Sequence, residues 1–280
     1  MKPQKALHLY IEEEKKNPKY IDHEYMMFEK YDGWYGYKDP GQPIMSRNMR
    51  AIPSVEWLNP ILDETNFSGR LIFEILVKNV PNFHELNGIL NRTVGGYLAH
   101  GAYLMMHDLV LHEAIPFYMR YNMLEEAVKK MNNDRVVLAH PLGESKRVST
   151  WKEVARDVWA EGGEGIVLKR SDAPYSFGKR NYDLMKIKEE VTLDLLVVGV
   201  TQGEGKYAGS LGSLVCKTKN GNIHNVSGMT DAERHTWWTN IEDIIDKVIE
   251  VKAMKVMPDG SLREPRFKAI RYDKSPSDID

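Results

Sequence analysis

Apolar and polar positions alternate in short blocks along most of the chain, and the blocks change character near residue 190. Before that point, strand-like runs are separated by helical stretches. Tyr25-Met26-Met27-Phe28, Arg70 to Val77 and Ile166 to Lys169 predict strands, while Pro116 to Met131 and Thr150 to Ala160 predict helices. In the second helix Trp151, Val154 and Val158 recur at three- and four-residue spacing beside Lys152, Glu153, Arg156 and Asp157, which turns one apolar face to a core. These elements predict a mixed α+β domain. The first segment, Gln4 to Lys19, mixes Leu7, Leu9, Tyr10 and Ile11 with charged residues and predicts a short surface helix ending before Asn17-Pro18.

After Glu190 short β-rich runs take over: Leu193 to Thr201, Ser213 to Thr218 and Ile223 to Ser227, with Asn220-Gly221 as a hairpin signal between the last two. Asp231 to Asp246 predicts one helix. Val248 to Val256, the turn Pro258-Asp259-Gly260 and Phe267 to Tyr272 predict another strand pair. Five strands and one helix suggest a small OB-type β-barrel. The boundary is expected close to Lys188-Glu189-Glu190, giving domains 1–189 and 190–280, and Ser275-Pro276-Ser277-Asp278 predicts a frayed tail.

A chain of 280 residues with 42% hydrophobic and 28% charged residues can fill two cores and keep a solvated surface. The one cysteine, Cys216, cannot form an internal disulfide, and the N-terminus leads into charge rather than an apolar signal, so a reducing, cytoplasmic setting is expected. Leu193 to Val200 is far too short to cross a bilayer. A net charge of −2 argues against nonspecific coating of nucleic acid but permits a local basic groove. His100, His107 and His112 lack the spacing that sets two ligands on one helix face, so zinc is not expected.

Four places put charge where it is costly. Lys30-Tyr31-Asp32-Gly33 ends the apolar run at Phe28, Glu74 interrupts Leu71 to Leu76, Glu164 precedes Gly165-Ile166-Val167-Leu168-Lys169, and Lys186 and Lys188 flank Ile187. Taken singly, Lys30 reads as a solvated lysine beside an ordinary Asp32-Gly33 turn, and each of the others is at least as well explained by alternation onto a solvent face. Lys186 and Lys188 share a face, however, and two cations at that spacing can bind phosphate and favour the neutral amine of a nearby lysine. Two glutamates offer hard oxygen ligands for magnesium.

The order of these groups resembles the covalent nucleotidyltransferase superfamily, most closely the ATP-dependent DNA ligases in their lean two-domain form. Lys30-Tyr31-Asp32-Gly33 is similar to the nucleotidyl-lysine motif, Ser46-Arg47-Asn48 to the serine-arginine motif that follows it, and Glu74 to the acid of the third motif. Glu164 to Lys169 and Met185 to Lys188 resemble the fourth and fifth, and Phe267 to Lys274 the closing motif, with Arg271, Asp273 and Lys274 at its fixed positions. Gly203 to Leu214 is similar to the glycine-rich opening of the family's OB domain. Three positions depart from the pattern: Tyr35 stands where arginine is frequent, Phe73 replaces the common glycine before the motif acid, and His107 precedes Asp108 where an aromatic is usual.

The resemblance implies an α+β adenylyltransferase domain of antiparallel sheets with flanking helices, then an OB-fold domain. It implies sealing of 5′-phosphate/3′-hydroxyl nicks in duplex DNA with ATP as co-substrate and Mg2+, in repair, replication or recombination, by a monomer. Lys30 would be the nucleophile. Glu29, Asp32, Arg47, Glu74, His107, Lys186, Lys188, Arg271 and Lys274 would bind the nucleotide, with Asp273 positioning the last two. Arg47, Arg50 and Lys206 would bind DNA, and Glu74 and Glu164 the metal. A GTP-dependent capping enzyme, an RNA ligase and a catalytically silent nucleic-acid clamp are the alternatives.

Overall fold

The period-two runs pair into sheets because each has one apolar face to bury. The structure, a computed structural model, describes residues 1–13, 19–64, 67–80, 83–92, 94–257 and 259–280, and only the backbone of 11 and 12. The chain divides into two compact units, Met1–Lys188 and Glu189–Asp280.

The first unit holds two five-stranded sheets. One runs in the order β1 (Lys5–His8), β10 (Arg180–Lys188), β9 (Gly165–Arg170), β2 (Tyr25–Glu29) and β8 (Pro141–Ser145), antiparallel except for β1 beside β10. The other runs β4 (Met45–Ser46), β3 (Trp34–Lys38), β5 (Arg70–Val77), β6 (Ala102–Val110) and β7 (Val136–Leu138), antiparallel except for β6 beside β7. Among the described residues five α-helices accompany them: α1 (Leu9–Glu13), α2 (Asn59–Asp63), α3 (Phe83–Leu90), α4 (Phe117–Met131) and α5 (Val148–Ala160).

The apolar stripe of α5 packs Trp151, Ala155 and Val158 onto Tyr25, Met27, Leu168 and Ile187 of the first sheet. Trp151 is fully buried, meets Tyr25 edge-on at 5.0 Å, and donates its indole N–H to the Ser145 carbonyl at 2.9 Å. On the second sheet α4 buries Phe117, Tyr121 and Leu124 against a core containing Phe73, Leu104 and Met106.

The N-terminal segment differs from expectation. Lys5–His8 is an edge strand and only Leu9–Glu13 is helical, because β10 offers an open edge and Leu9 is fully buried in the α5 core. Asn17-Pro18 lies outside the described residues.

In the second unit β13 (Ile223–Val226), β12 (Leu211–Lys217), β11 (Val191–Gln202), β14 (Val248–Ala253) and β17 (Arg266–Ile270) form one antiparallel sheet in that order. It is not the closed barrel expected. Its edge strands meet at a single bridge, Ser227 to Arg266, with the Phe267 N–H donating to the Ser227 carbonyl at 2.7 Å. The four-residue β13 then gives way at Gly228, whose φ of +97° turns the chain out of the ladder.

The helix α6 (Asp231–Thr239) is shorter than predicted. A capping box of Thr230 and Glu233 starts it, and Asn240 leaves helical geometry before one 3-10 turn at Ile241–Asp243. Trp237 of α6 meets Phe267 edge-on at 5.3 Å over the sheet core. The predicted last strand pair forms, β14 (Val248–Ala253) with β17 (Arg266–Ile270), but the turn does not join the two strands directly. The Asp259-Gly260 turn joins a small ribbon, β15 (Lys255–Val256) with β16 (Leu262–Arg263), while β14 takes β17 as its neighbour. Pro258 lies outside the described residues.

The tail is not frayed. The Asp280 carboxylate accepts the Asp194 N–H at 2.7 Å, Asp280 donates its own N–H back to the Asp194 carbonyl at 3.0 Å, and Asp278 accepts from Ser275. Among the described residues no helix is long and apolar enough to cross a membrane.

Candidate active site

Three adjacent strands of the first sheet end together, and their ends carry the lysines and a glutamate. The β2–β9 register sets Glu29 opposite Ile166, and the β9–β10 register sets Gly165 opposite Lys188, so Lys30, Glu164 and Lys188 leave the ladder side by side. The Lys30 N–H donates to the Gly165 carbonyl at 2.8 Å. The Glu164 carboxylate, 7% exposed, bridges the lysines: Oε2 lies 2.6 Å from Lys30 Nζ and Oε1 2.5 Å from Lys188 Nζ. Burial pushes the Glu164 acid up, but the two ammonium groups outweigh it and hold it below the usual carboxylate range. Gly165 makes this approach possible. At φ +136° a Cβ there would stand 2.1 Å from the Ile187 carbonyl oxygen.

A cavity of about 530 Å³ opens between the two sheets of this unit, walled by Lys30, Glu29, Glu74, His107, Lys186 and Lys188 among others. Its size suits a nucleotide. Lys186 faces it in phase with Lys188, and burial together with the Lys188 and Lys30 charges lowers its ammonium to about 8. Glu74, on β5, is pushed up to about 7 by burial, with Lys30 and Arg47 opposing and Glu164 and Asp32 adding to the rise. Burial and the neighbouring Glu161 raise Glu29.

Asp32 and Arg50 do not line the cavity. Glu164, expected as a metal ligand, has both oxygens engaged by lysines. Among the described residues no cluster of three or more His, Cys, Asp or Glu gathers to hold a metal.

Each departure from the expected motifs has a local counterpart. Tyr35 lies under the Arg47 guanidinium, whose carbon is 5.3 Å from the ring centre, so an aromatic shelf holds the next cation. Phe73 is buried opposite Gly36, where a Cβ would come within 2.5 Å of its ring, so the missing glycine before Glu74 is matched by a glycine across the ladder. His107 is the extra residue of a β-bulge: Ile72 pairs Asp108 and Phe73 pairs Met106, which leaves His107 unpaired and aimed into the cavity.

Sequence reasoning missed the groups behind it. Lys169, 7% exposed, donates from Nζ to the His107 carbonyl at 2.5 Å and meets His107 Nδ1 at 3.2 Å. Asp108 and Arg120 form a buried two-bond ion pair beside them, at 2.8 and 3.2 Å. The available signal was phase, because Lys169 shares the face of Val167 on β9. Gln4 and Lys5 also reach the cavity wall, through the unpredicted β1.

In the second unit the cations of Phe267 to Lys274 are held at home. Arg271 Nη1 donates to both oxygens of Asp194 at 3.0 Å, and its Nε and Nη2 donate to Asp273 at 2.9 and 2.7 Å. Lys274 Nζ lies 2.5 Å from Asp194, whose side chain is 8% exposed. Hydrogen bonds from Arg271 hold the Asp273 acid at about 2. Lys206 is exposed and pairs with Asp231 at 3.2 Å.

Two family models match the chain: the ATP dependent DNA ligase domain over residues 91–188 and the DNA ligase OB-like domain over residues 202–271. A DNA ligase of Thermococcus fumicolans is 31% identical over 191 residues, covering 59% of this chain and 34% of the relative. One of Methanothrix thermoacetophila is 32% identical over 190 residues, covering 57% and 34%. The chain thus spans about a third of the length of these relatives. Among solved structures, a Lig E DNA ligase described as binding DNA with a minimal scaffold superposes with a TM-score of 0.78 at 22% identity, over 97% of this chain and 99% of that one. Chlorella virus DNA ligase-adenylate superposes at 0.55 with 19% identity, over 98% and 99%. Those superpositions establish the fold. On that fold the chain thus carries, in order, an ATP dependent DNA ligase domain and a DNA ligase OB-like domain.

Proposed function

We propose that this chain seals 5′-phosphate/3′-hydroxyl nicks in duplex DNA with ATP, through an AMP carried on Lys30. The bridge Lys30–Glu164–Lys188 at the wall of a nucleotide-sized cavity carries the reading. Glu164 Oε2, 2.6 Å away, orients Lys30, which gives up its proton to solvent before Nζ attacks the α-phosphorus. The bond from that phosphorus to the bridging oxygen breaks and pyrophosphate leaves. The 5′-phosphate of the nick then attacks the same phosphorus and takes the AMP, and the 3′-hydroxyl displaces AMP to close the strand.

Lys186 and Lys188 hold the α-phosphate, because phosphoryl transfer depends mostly on position and charge neutralisation. His107 and Glu29, which line the cavity, serve the nucleotide site, and Arg271 and Lys274, positioned by Asp273, serve the pyrophosphate. With Glu164 committed to two lysines, Glu74 is the carboxylate left beside Lys30 for magnesium, which takes one or two carboxylates with phosphate oxygens and water. Bound there, the ion would neutralise phosphate charge. Arg47, Arg50 and Lys206 contact the DNA backbone. Residues 1–189 act as the adenylyltransferase domain and 190–280 as the OB domain, in a cytoplasmic monomer.

The test offers labelled ATP or GTP with magnesium, then nicked DNA, nicked RNA and hybrid duplexes. Label from ATP on the protein and sealing of nicked DNA are expected. Labelling by GTP alone, or joining of RNA alone, would replace this reading with a capping enzyme or RNA ligase, and no label at all would leave the clamp.

The Lys186 ammonium also sets an alkaline limit. It is charged below about 8 and loses its charge as pH rises through that value, so kcat/KM for ATP should fall on the alkaline side. Lys186→Arg, charged at every accessible pH, should move that limb upward. An unmoved limb would assign it to another group.

A further inference from the structure

His107 occupies an unusual place. It is displaced onto a β-bulge, turned into the cavity, and held from the opposite sheet by Lys169. An ammonium has three donors and no lone pair, so Nδ1 can meet Lys169 Nζ only as an acceptor. The ring proton must then sit on Nε2. The carbonyl of the same residue accepts a second bond from Lys169, which fixes the bulge and the ring together.

Nothing in the cluster frees Lys169 from this task. Its Nζ stands 4.7 Å from the Phe117 ring centre and 5.5 Å from that of Phe28, and its nearest carboxylate oxygen, on Asp108, is at 4.0 Å because Arg120 already occupies that carboxylate. Burial and the Arg120 charge lower the Lys169 ammonium to about 8 against the pull of Asp108, which leaves it protonated at neutral pH with its donors free for His107.

We infer that Lys169 is a positioning residue: it locks His107 as the Nε2–H tautomer and so presents one defined, uncharged ring to the base of the bound nucleotide. This rests on the reading of the cavity as the ATP site. A ring that can flip between tautomers offers the base two different edges, and each wrong state lowers the fraction of protein competent to bind. Lys169 removes that loss before the nucleotide arrives. Because it acts through the His107 ring, its effect falls on nucleotide binding and leaves the chemical step alone.

The experiment has two arms. Nitrogen-15 ring spectra of the nucleotide-free protein, with His107 assigned through H107F, report the tautomer directly. Nδ1 is expected at the unprotonated position in wild type, and Lys169→Met is expected to give an averaged or inverted pattern. A wild-type ring protonated on Nδ1 overturns the inference whether or not any variant folds. In the kinetic arm, Lys169→Met should raise the KM for ATP roughly tenfold, the loss of one charge-assisted hydrogen bond, with kcat for adenylylation unchanged and with Lys169→Arg restoring most of the affinity. In the H107F background the same substitution should add nothing to KM. An equal penalty in that background means that Lys169 does not act through His107, and the inference falls. If ATP fails to saturate the protein while the spectra show the Nε2–H ring, the tautomer lock stands and the reading of the cavity as an ATP site is what fails.

Discussion

Replacing Lys30 with alanine is expected to leave a protein that carries no AMP after incubation with ATP and magnesium, read as the absence of the adduct in the intact mass. Lys30 Nζ is the proposed nucleophile, held 2.6 Å from Glu164, and alanine leaves nothing at that position to form the phosphorus–nitrogen bond. Removing a nucleophile outright typically costs roughly 10³-fold or more. The fold should survive, because Lys30 is partly exposed and Glu164 keeps Lys188 at 2.5 Å. ATP binding should persist as well, since Lys186 and Lys188 remain. Lys188, on the other side of the same carboxylate, is the internal control: Lys188→Ala should slow adduct formation without moving its site. An AMP adduct of ordinary extent on the Lys30 variant would end the assignment of the nucleophile.

Arg271→Ala should lower the rate of adenylylation by about 10²- to 10³-fold, the range for removing one donor aimed at developing phosphate charge. Sealing of a nick that already carries AMP should be largely retained. Arg271 spends its donors on two carboxylates, Asp194 and Asp273, a planar two-sided fork that lysine cannot reproduce. Asp194 is buried and also holds Lys274 at 2.5 Å, so without the arginine that carboxylate still has a cationic partner. The lysine therefore limits the cost of releasing the arginine. Arg271→Lys should rescue little, and thermal unfolding of both variants separates a lost contact from a lost fold. Normal charging with AMP combined with failure only on pre-adenylylated nicks would place Arg271 in the wrong step.

The strands and long helices of the first unit were legible because Arg70 to Val77 and Trp151 to Val158 carry clean two- and 3.6-residue periods. Lys30, Glu164, Lys186 and Lys188 stood out as charges at the ends of apolar strands, and the ladder registers bring Lys30, Glu164 and Lys188 together. Pairing across the sequence was not legible. Lys5–His8 has too few residues to show a period, and its strand exists because β10 offers an edge. The β-bulge at His107 depends on a register that only the folded ladder defines, and Lys169 looks like any lysine flanking a strand until the opposite sheet arrives. Asp194 shows the same limit. In the sequence it interrupts an apolar run, and in the structure it gathers Arg271 and Lys274 from about eighty residues away. The closed barrel was an inference from strand count, and strand count does not say whether edges meet along their length or at one residue.

The parallel strand β1 also acts as an edge guard. β10 carries Lys186 and Lys188 and would otherwise present a row of unpaired amide and carbonyl groups, the kind of template on which foreign strands assemble. Four residues of parallel ladder cover part of that row, and the exposed charge on Lys5 discourages another strand from adding beyond it. Colloidal behaviour and the shape of the cavity are therefore linked through the same short segment: a change that loosens Lys5–His8 invites self-association along the strand that carries Lys186 and Lys188.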